Sequence, residues 1–122
     1  MNTSLGIQDN ILAAVGYIIP VIAMIVYFVE KENNFLKFHC LQSIILSMIV
    51  IAIFSIISSI ICFLQFIPAV GSILSCVFLL FLIPIVLVIF LIAIFLAVKA
   101  YNREYYKIPY IGDQVEKIIY KY

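Results

Sequence analysis

The chain has 122 residues, 67% of them apolar and 11% charged, with a formal net charge of +1. This lies outside the composition of soluble domains and leaves no room for a second domain of any size. Seven basic residues nearly balanced by six acidic ones argue against a nucleic-acid partner.

The N-terminus, Met1 to Asp9, carries no basic stretch and no small-residue cleavage signal, so the apolar segment that follows is read as retained. That segment, Ile11 to Val29, is expected to form a first membrane span over about 10–29. Pro20 falls near its middle and predicts a kink, freeing the carbonyl of Gly16. A charged loop, 30–39, follows. From Cys40 to Val98 there are then 59 residues without one Asp, Glu, Lys or Arg. At about 1.5 Å per residue this is about 88 Å of helix, enough for two spans and a short turn. The spans are placed at 40–63 and 73–98, with Pro68 and Gly71 reversing the chain between them and Pro84 kinking the last one.

The predicted fold class is therefore an all-α integral membrane protein with three transmembrane helices. A short amphipathic C-terminal helix is added on the cytoplasmic side. Three spans gather every Lys and Arg (31, 37, 99, 103, 107, 117, 121) on the side of loop 30–39 and tail 99–122. The positive-inside rule then places the N-terminus outside the cell membrane and the C-terminus in the cytoplasm. Cys40, Cys62 and Cys76 lack metal-ligand or redox spacing and read as small packing residues.

Within the second span His39, Ser43, Ser47, Ser55, Ser58 and Cys62 fall within about half of the helix circumference. Ser43/Ser47 and Ser55/Ser59 are small-xxx-small pairs, which let helix backbones approach closely. Ser47, Ser55, Ser58 and Ser59 are accordingly expected to pack against neighbouring helices, within or between subunits. The other reading is a polar path lined by hydroxyls. Such hydroxyls also bond their own i−4 carbonyl and need no solute to explain them.

The loop and the tail hold most of the polar residues. His39 and Gln42 are spaced i, i+3, and His39 and Ser43 i, i+4, so the three can meet on one helix face. His39 is read as a structural hub tying this helix start to the tail. The tail divides at Gly112, after which Asp113-x-x-Glu116 looks like a capping box. Val115, Ile118, Ile119 and Tyr122 follow at helical spacing. Pro109 and Gly112 are expected to fold the tail back near His39. Charge complementarity is expected between Glu30 and Glu32 in the loop and Lys99, Arg103 and Lys107 in the tail.

The segment EKENNFLKFHCLQS resembles the first-loop signature of small membrane proteins related to the chloroplast inner-envelope protein-import translocon (Tic) component. The matching positions are Glu30, Lys31, Glu32, Asn33, Phe38, His39, Gln42 and Ser43. AYNREYYKIPYIGD resembles the ending of the same family through Tyr101, Tyr106, Pro109, Gly112 and Asp113. The resemblance, closest to the prokaryotic branch, implies a part in a membrane assembly such as protein translocation.

The leading functional expectation is a non-enzymatic subunit or scaffold, without cofactor, metal or catalytic residue. Its partners are the lipid bilayer and further copies of itself or another membrane protein. The competing expectations are an oligomeric pore or small-solute transporter, and an intramembrane enzyme using His39 with Glu30 or Glu32.

Overall fold

The computed structural model describes residues 5–120, and among them the regular elements are five helices. They are α1 (Asp9–Ile18), α2 (Pro20–Val29), α3 (Asn34–Leu64), α4 (Val70–Tyr101) and α5 (Ile111–Ile119). Two of them, α3 and α4, are long and apolar enough to cross a membrane. At about 1.5 Å per residue they measure about 46 and 48 Å.

The first apolar stretch does not form the expected span. It breaks at Ile19, whose backbone is extended (φ −123°, ψ 95°), and Pro20 opens α2. The physical reason is local. Proline has no N–H, disfavours helical backbone in the residue before it, and is preorganised for a first helical position. The outcome is a reversal rather than the kink that Pro20 predicted. A Cβ built on Gly16 would lie 3.1 Å from the Cβ of Ala23. Residues seven apart in one continuous helix are separated by about 10 Å, so α1 and α2 are folded against each other as a hairpin. Each arm is about 15 Å long, half of the roughly 30 Å hydrocarbon thickness.

The hairpin changes the topology. Its base joins the start of α1 to the ends of other elements: Asn33 Nδ2 donates to Asp9 Oδ2 at 3.1 Å, and Asn10 Nδ2 donates to the Tyr101 carbonyl at 2.9 Å. Arg103 also pairs with Asp9 at 2.6 Å. The start of α1, the α2–α3 connection and the end of α4 therefore share one end of the molecule. The expectation that residues before the first span lie opposite the tail is corrected by these contacts.

Boundaries shift as well. The connection to α3 is shorter than loop 30–39, because Asn33 caps α3 by accepting from the Leu36 N–H at 3.0 Å. Pro84 sits inside α4 without ending it. α5 starts at Ile111 after a left-handed Tyr110 (φ 67°) that makes no side-chain cap, so Asp113 lies in the first turn instead of opening a capping box. In the α3–α4 turn, Gln65 Nε2 donates to the Gly71 carbonyl at 3.0 Å and also meets Ser75 Oγ. A Cβ on Gly71 would lie 2.5 Å from Gln65 Cα, so only glycine fits there.

Packing is concentrated at the hairpin end. Leu12, Ala13, Tyr17, Ala23, Val26, Leu36, Cys40, Leu96, Ala97 and Ala100 form one buried cluster. α1 lies against both α3 and α4 and separates their lower halves. Beyond the hairpin tip is an apolar cleft of about 390 Å³ whose lining includes Ile18, Pro20, Ser47, Val50, Val86 and Phe90. Farther on, α3 and α4 approach again, with the Phe54 and Phe78 rings 6.5 Å apart.

Gly16→Val is expected to lower the melting temperature in mild detergent, because the added bulk drives α1 from α2 at a cost of about 1–3 kcal/mol. Ile25→Ala, on the exposed outer face of α2, is expected to leave it nearly unchanged. Equal melting temperatures for the two variants would contradict the hairpin contact.

Candidate functional site

The polar residues of α3 converge with the last turn of α1 and with the tail. His39, Gln42 and Ser43 occupy one face of the first turns of α3, as their spacing requires, and all three are buried. α1 supplies Tyr17 and Gly16 opposite them. Ser43 Oγ donates to the Gly16 carbonyl at 2.7 Å, satisfying an acceptor near the end of α1 that the chain reversal leaves without an intrahelical partner.

Gln42 carries the most contacts. Its Nε2 donates to Tyr17 Oη at 2.6 Å and to the Tyr106 carbonyl at 3.0 Å, while its Oε1 accepts from the Ile108 N–H at 3.1 Å. The carbonyl before Lys107 and the N–H after it point the same way in extended backbone. One amide thus holds the tail as a neighbouring β-strand would. Gly112 makes room for this clamp, since a Cβ there would lie 2.5 Å from Lys107 Cβ and 3.1 Å from Gln42 Oε1.

The same contacts hold the ring of His39. Tyr17 Oη, which accepts from Gln42, also shares a hydrogen bond with His39 Nδ1, 2.8 Å away. The other ring nitrogen, Nε2, is buried without a hydrogen-bond partner. The ring is enclosed by Phe35, Phe38, Tyr17 and Tyr105, with centroids 4.6, 5.3, 5.5 and 6.1 Å away.

A second cluster closes the base. Asp9 bonds Asn33 and pairs with Arg103. Burial raises the Asp9 pKa, but the Asn33 hydrogen bond and the Arg103 charge outweigh it and leave the carboxyl below its ordinary value. Arg103 adopts a left-handed conformation (φ 61°) at the end of α4. Its N–H bonds the Ala100 carbonyl and the Glu104 N–H bonds the Lys99 carbonyl, both at 3.0 Å. This is the Schellman arrangement, in which glycine is the usual left-handed residue.

The remaining sequence candidates are spread around this core. Glu30 is buried and accepts from the backbone N–H groups of Glu32 and Asn33, while Lys31 and Glu32 are exposed. Phe38 is buried beside His39. Tyr101 contributes its carbonyl, and the Tyr106 ring packs edge-on against Phe95 at 5.3 Å. Pro109 and Asp113 are exposed. Lys99 and Lys107 pair with Glu104 and Glu116 at 3.0 and 2.5 Å. Ser47 donates to the Ser43 carbonyl and Ser59 to that of Ser55, both at 2.8 Å. Ser55, Ser58 and Ser59 lie exposed with Cys62, so α4 does not supply the helix they were expected to pack against.

Three residues of the site escape sequence reasoning: Asp9, Asn10 and Tyr17. The available signals were weak ones, a lone acid before an apolar segment and a lone phenol within it. Among the described residues, no three His, Cys, Asp or Glu side chains lie together as a metal site would require.

A buried polar cap beneath two long apolar helices defines a small, all-helical membrane protein. Residues 4–115 match the magnetosome magnetite crystal formation protein family, MamF/MmsF, and the chain belongs to that family. It is 38% identical over 118 residues to a UPF0132 membrane protein of Methanocaldococcus jannaschii, covering 94% of this chain and 92% of that one. A UPF0132 membrane protein of Archaeoglobus fulgidus is 34% identical over 113 residues, covering 92% and 96%. No solved structure matches. The resemblance to the Tic-related family is corrected by these matches, which place both quoted segments in the MamF/MmsF family instead.

Gln42→Leu removes partners from Tyr17 Oη, the Tyr106 carbonyl and the Ile108 N–H, each worth about 1–3 kcal/mol if left buried and unpaired. The expected result is a tail cut rapidly by protease around 103–110 while the long helices stay intact. Gln42→Glu is expected to behave similarly, because a carboxylate cannot donate to the Tyr106 carbonyl. An uncut tail in both variants would refute the clamp.

The Asp9 cluster predicts an acid dependence. Its folded pKa lies below the unfolded value of about 3.9, so its stabilisation is complete above that pH and is lost as pH falls through the folded value. Asp9→Asn is expected to flatten the melting-temperature profile below about pH 4. An unchanged acid limb would show that Asp9 is not responsible.

Proposed function

We propose that this protein is a non-enzymatic scaffold of the cell membrane. In this reading α3 and α4 are its two spans, the cap faces the cytoplasm, and the far halves of the helices meet other copies in the bilayer. The carrying observation is the Gln42 clamp: this fully buried amide is spent entirely on the chain's own backbone and on Tyr17. His39 supports the same reading, since rings enclose it and Glu30 is occupied with backbone N–H groups. An acid–base centre needs a reachable partner and an opening for substrate. The family is described by magnetite crystal formation, and the role proposed for this chain is structural.

Orientation rests on charge. Lys31, Lys37, Lys99, Arg103, Lys107 and Lys117 belong to the cap end, and the α3–α4 turn from Gln65 to Ala69 has no charged residue. The positive-inside rule places the cap in the cytoplasm, and the hairpin brings Asp9 to the same side. The tail supports this placement as an amphipathic element: Val115 of α5 is buried while Asp113, Gln114 and Lys117 are exposed. Contact between copies is supported by the exposed face of Ser55, Ser58, Ser59 and Cys62, whose small side chains permit close helix approach.

In a cysteine-free background, Phe66→Cys is expected to be labelled in intact cells, and Gln8→Cys and Asp113→Cys only after permeabilisation. Labelling of position 8 from outside would restore three spans and overturn this reading. Oxidation of the natural protein in membranes is expected to give a covalent dimer through Cys62. The dimer should vanish in Cys62→Ser and persist in Cys76→Ser; its persistence in Cys62→Ser would place the contact elsewhere.

A further inference from the structure

The cross-section of the molecule changes halfway along its length. At the cap end four helices lie side by side: α1 packs on α3 and α4, and α2 packs on α1 and α3. At the other end just α3 and α4 continue, joined by the Gln65–Ala69 turn and meeting at Phe54 and Phe78. The hairpin tip marks the change. Ile18 and Pro20 line the cleft together with Ser47, Val50, Val86 and Phe90, which lie near the midpoints of α3 and α4. The outer face of the hairpin is lipid-like, with Ile18, Ile19, Val21, Met24, Ile25 and Phe28 exposed. Such a face is costly in water and at ease against hydrocarbon.

We propose that the chain is a membrane wedge that favours bilayers curved convexly toward the cap. The inference rests on the two-span reading above and deepens it by naming the membrane geometry the scaffold recognises. Helices packed about 8–10 Å apart each occupy roughly 80 Å² of a leaflet, so the hairpin adds roughly 150–200 Å² to one leaflet and nothing to the other. A bilayer bent around the cap side spreads that leaflet and compresses its partner, and the wedge fits without squeezing lipid. Rigidity is built in. Gly16 lies against Ala23, Ser43 pins the Gly16 carbonyl, and Asp9, Asn33 and Arg103 close the base. An insert that fits one curvature better than the other shifts its own distribution by that difference in affinity.

The test uses the full chain in phosphatidylcholine vesicles sorted into small and large fractions, with orientation read by protease access to the tail. Cap-outward molecules are expected to be enriched on small vesicles about fivefold over cap-inward ones, a bias of about 1 kcal/mol at 1.4 kcal/mol per decade. Ile25→Trp, which widens the hairpin on its exposed face, is expected to raise that ratio, and Ile56→Trp, on the far half of α3, to lower it. Equal partition of the two orientations, enrichment of the cap-inward form, or a ratio that neither variant moves overturns the proposal. Curvature is scored relative to the cap, so the result does not depend on which side the cap faces in the cell. Loss of the two-span reading would appear separately, as residue 8 and the tail protected on opposite sides of the same vesicles.

Discussion

The reversal at Pro20, a residue without an N–H, is the constraint from which the rest follows. Pro84 lacks the same donor inside an unbroken α4, whereas at Pro20, where Gly16 and Ala23 can meet, the helix that begins at Asp9 ends at Ile18 and folds back. The reversal returns α2 alongside α1, which brings Ala23 tightly against Gly16 and leaves the Gly16 carbonyl to be satisfied by Ser43. It also carries Tyr17 to His39 and Gln42, and Asp9 to Asn33 and Arg103. The break at Pro20 and the close approach of Gly16 to Ala23 together decide which polar groups meet.

Polar satisfaction, more than apolar area, makes this end of the molecule specific. Apolar side chains gain little from each other when lipid is the alternative, whereas a buried amide or carbonyl without a partner is costly in any apolar medium. Gln42 satisfies five groups at once, counting both ends of its own amide with Tyr17 Oη, the Tyr106 carbonyl and the Ile108 N–H. Arg103 shows the opposite trade. Its left-handed backbone costs roughly 1–2 kcal/mol that a glycine would avoid, and the charge it brings reaches a carboxylate that is nearly enclosed, with 5% side-chain exposure.

Much of this was legible in the sequence, for definable reasons. The charge-free run from Cys40 to Val98 fixes two long helices by length alone, and the spacing of His39, Gln42 and Ser43 fixes a shared face. Pro20 announces an interruption, but whether a proline bends a helix or ends it depends on what the next turns can pack against. Here that was Gly16 meeting Ala23, two ordinary residues in an apolar run. Misreading the break misplaced the whole N-terminal segment and with it the roles of Asp9, Asn10 and Tyr17, whose partners lie more than twenty residues away. The left-handed positions at Arg103 and Tyr110 were invisible because neither is glycine. The start of α5 was misjudged because Asp113 looks like a cap, whereas the chain turns earlier, at Tyr110.

The Gln42 clamp also has a temporal side. Its partners, at positions 106 and 108, follow it by 64 and 66 residues and emerge from synthesis after both long helices. Until they arrive, the amide on α3 faces the membrane boundary with an open donor and an open acceptor. The cap is therefore closed by a segment made after both long helices, and until residues 106–108 arrive that polar surface stays uncovered. The order of synthesis is written into the fold as the presence or absence of two hydrogen bonds.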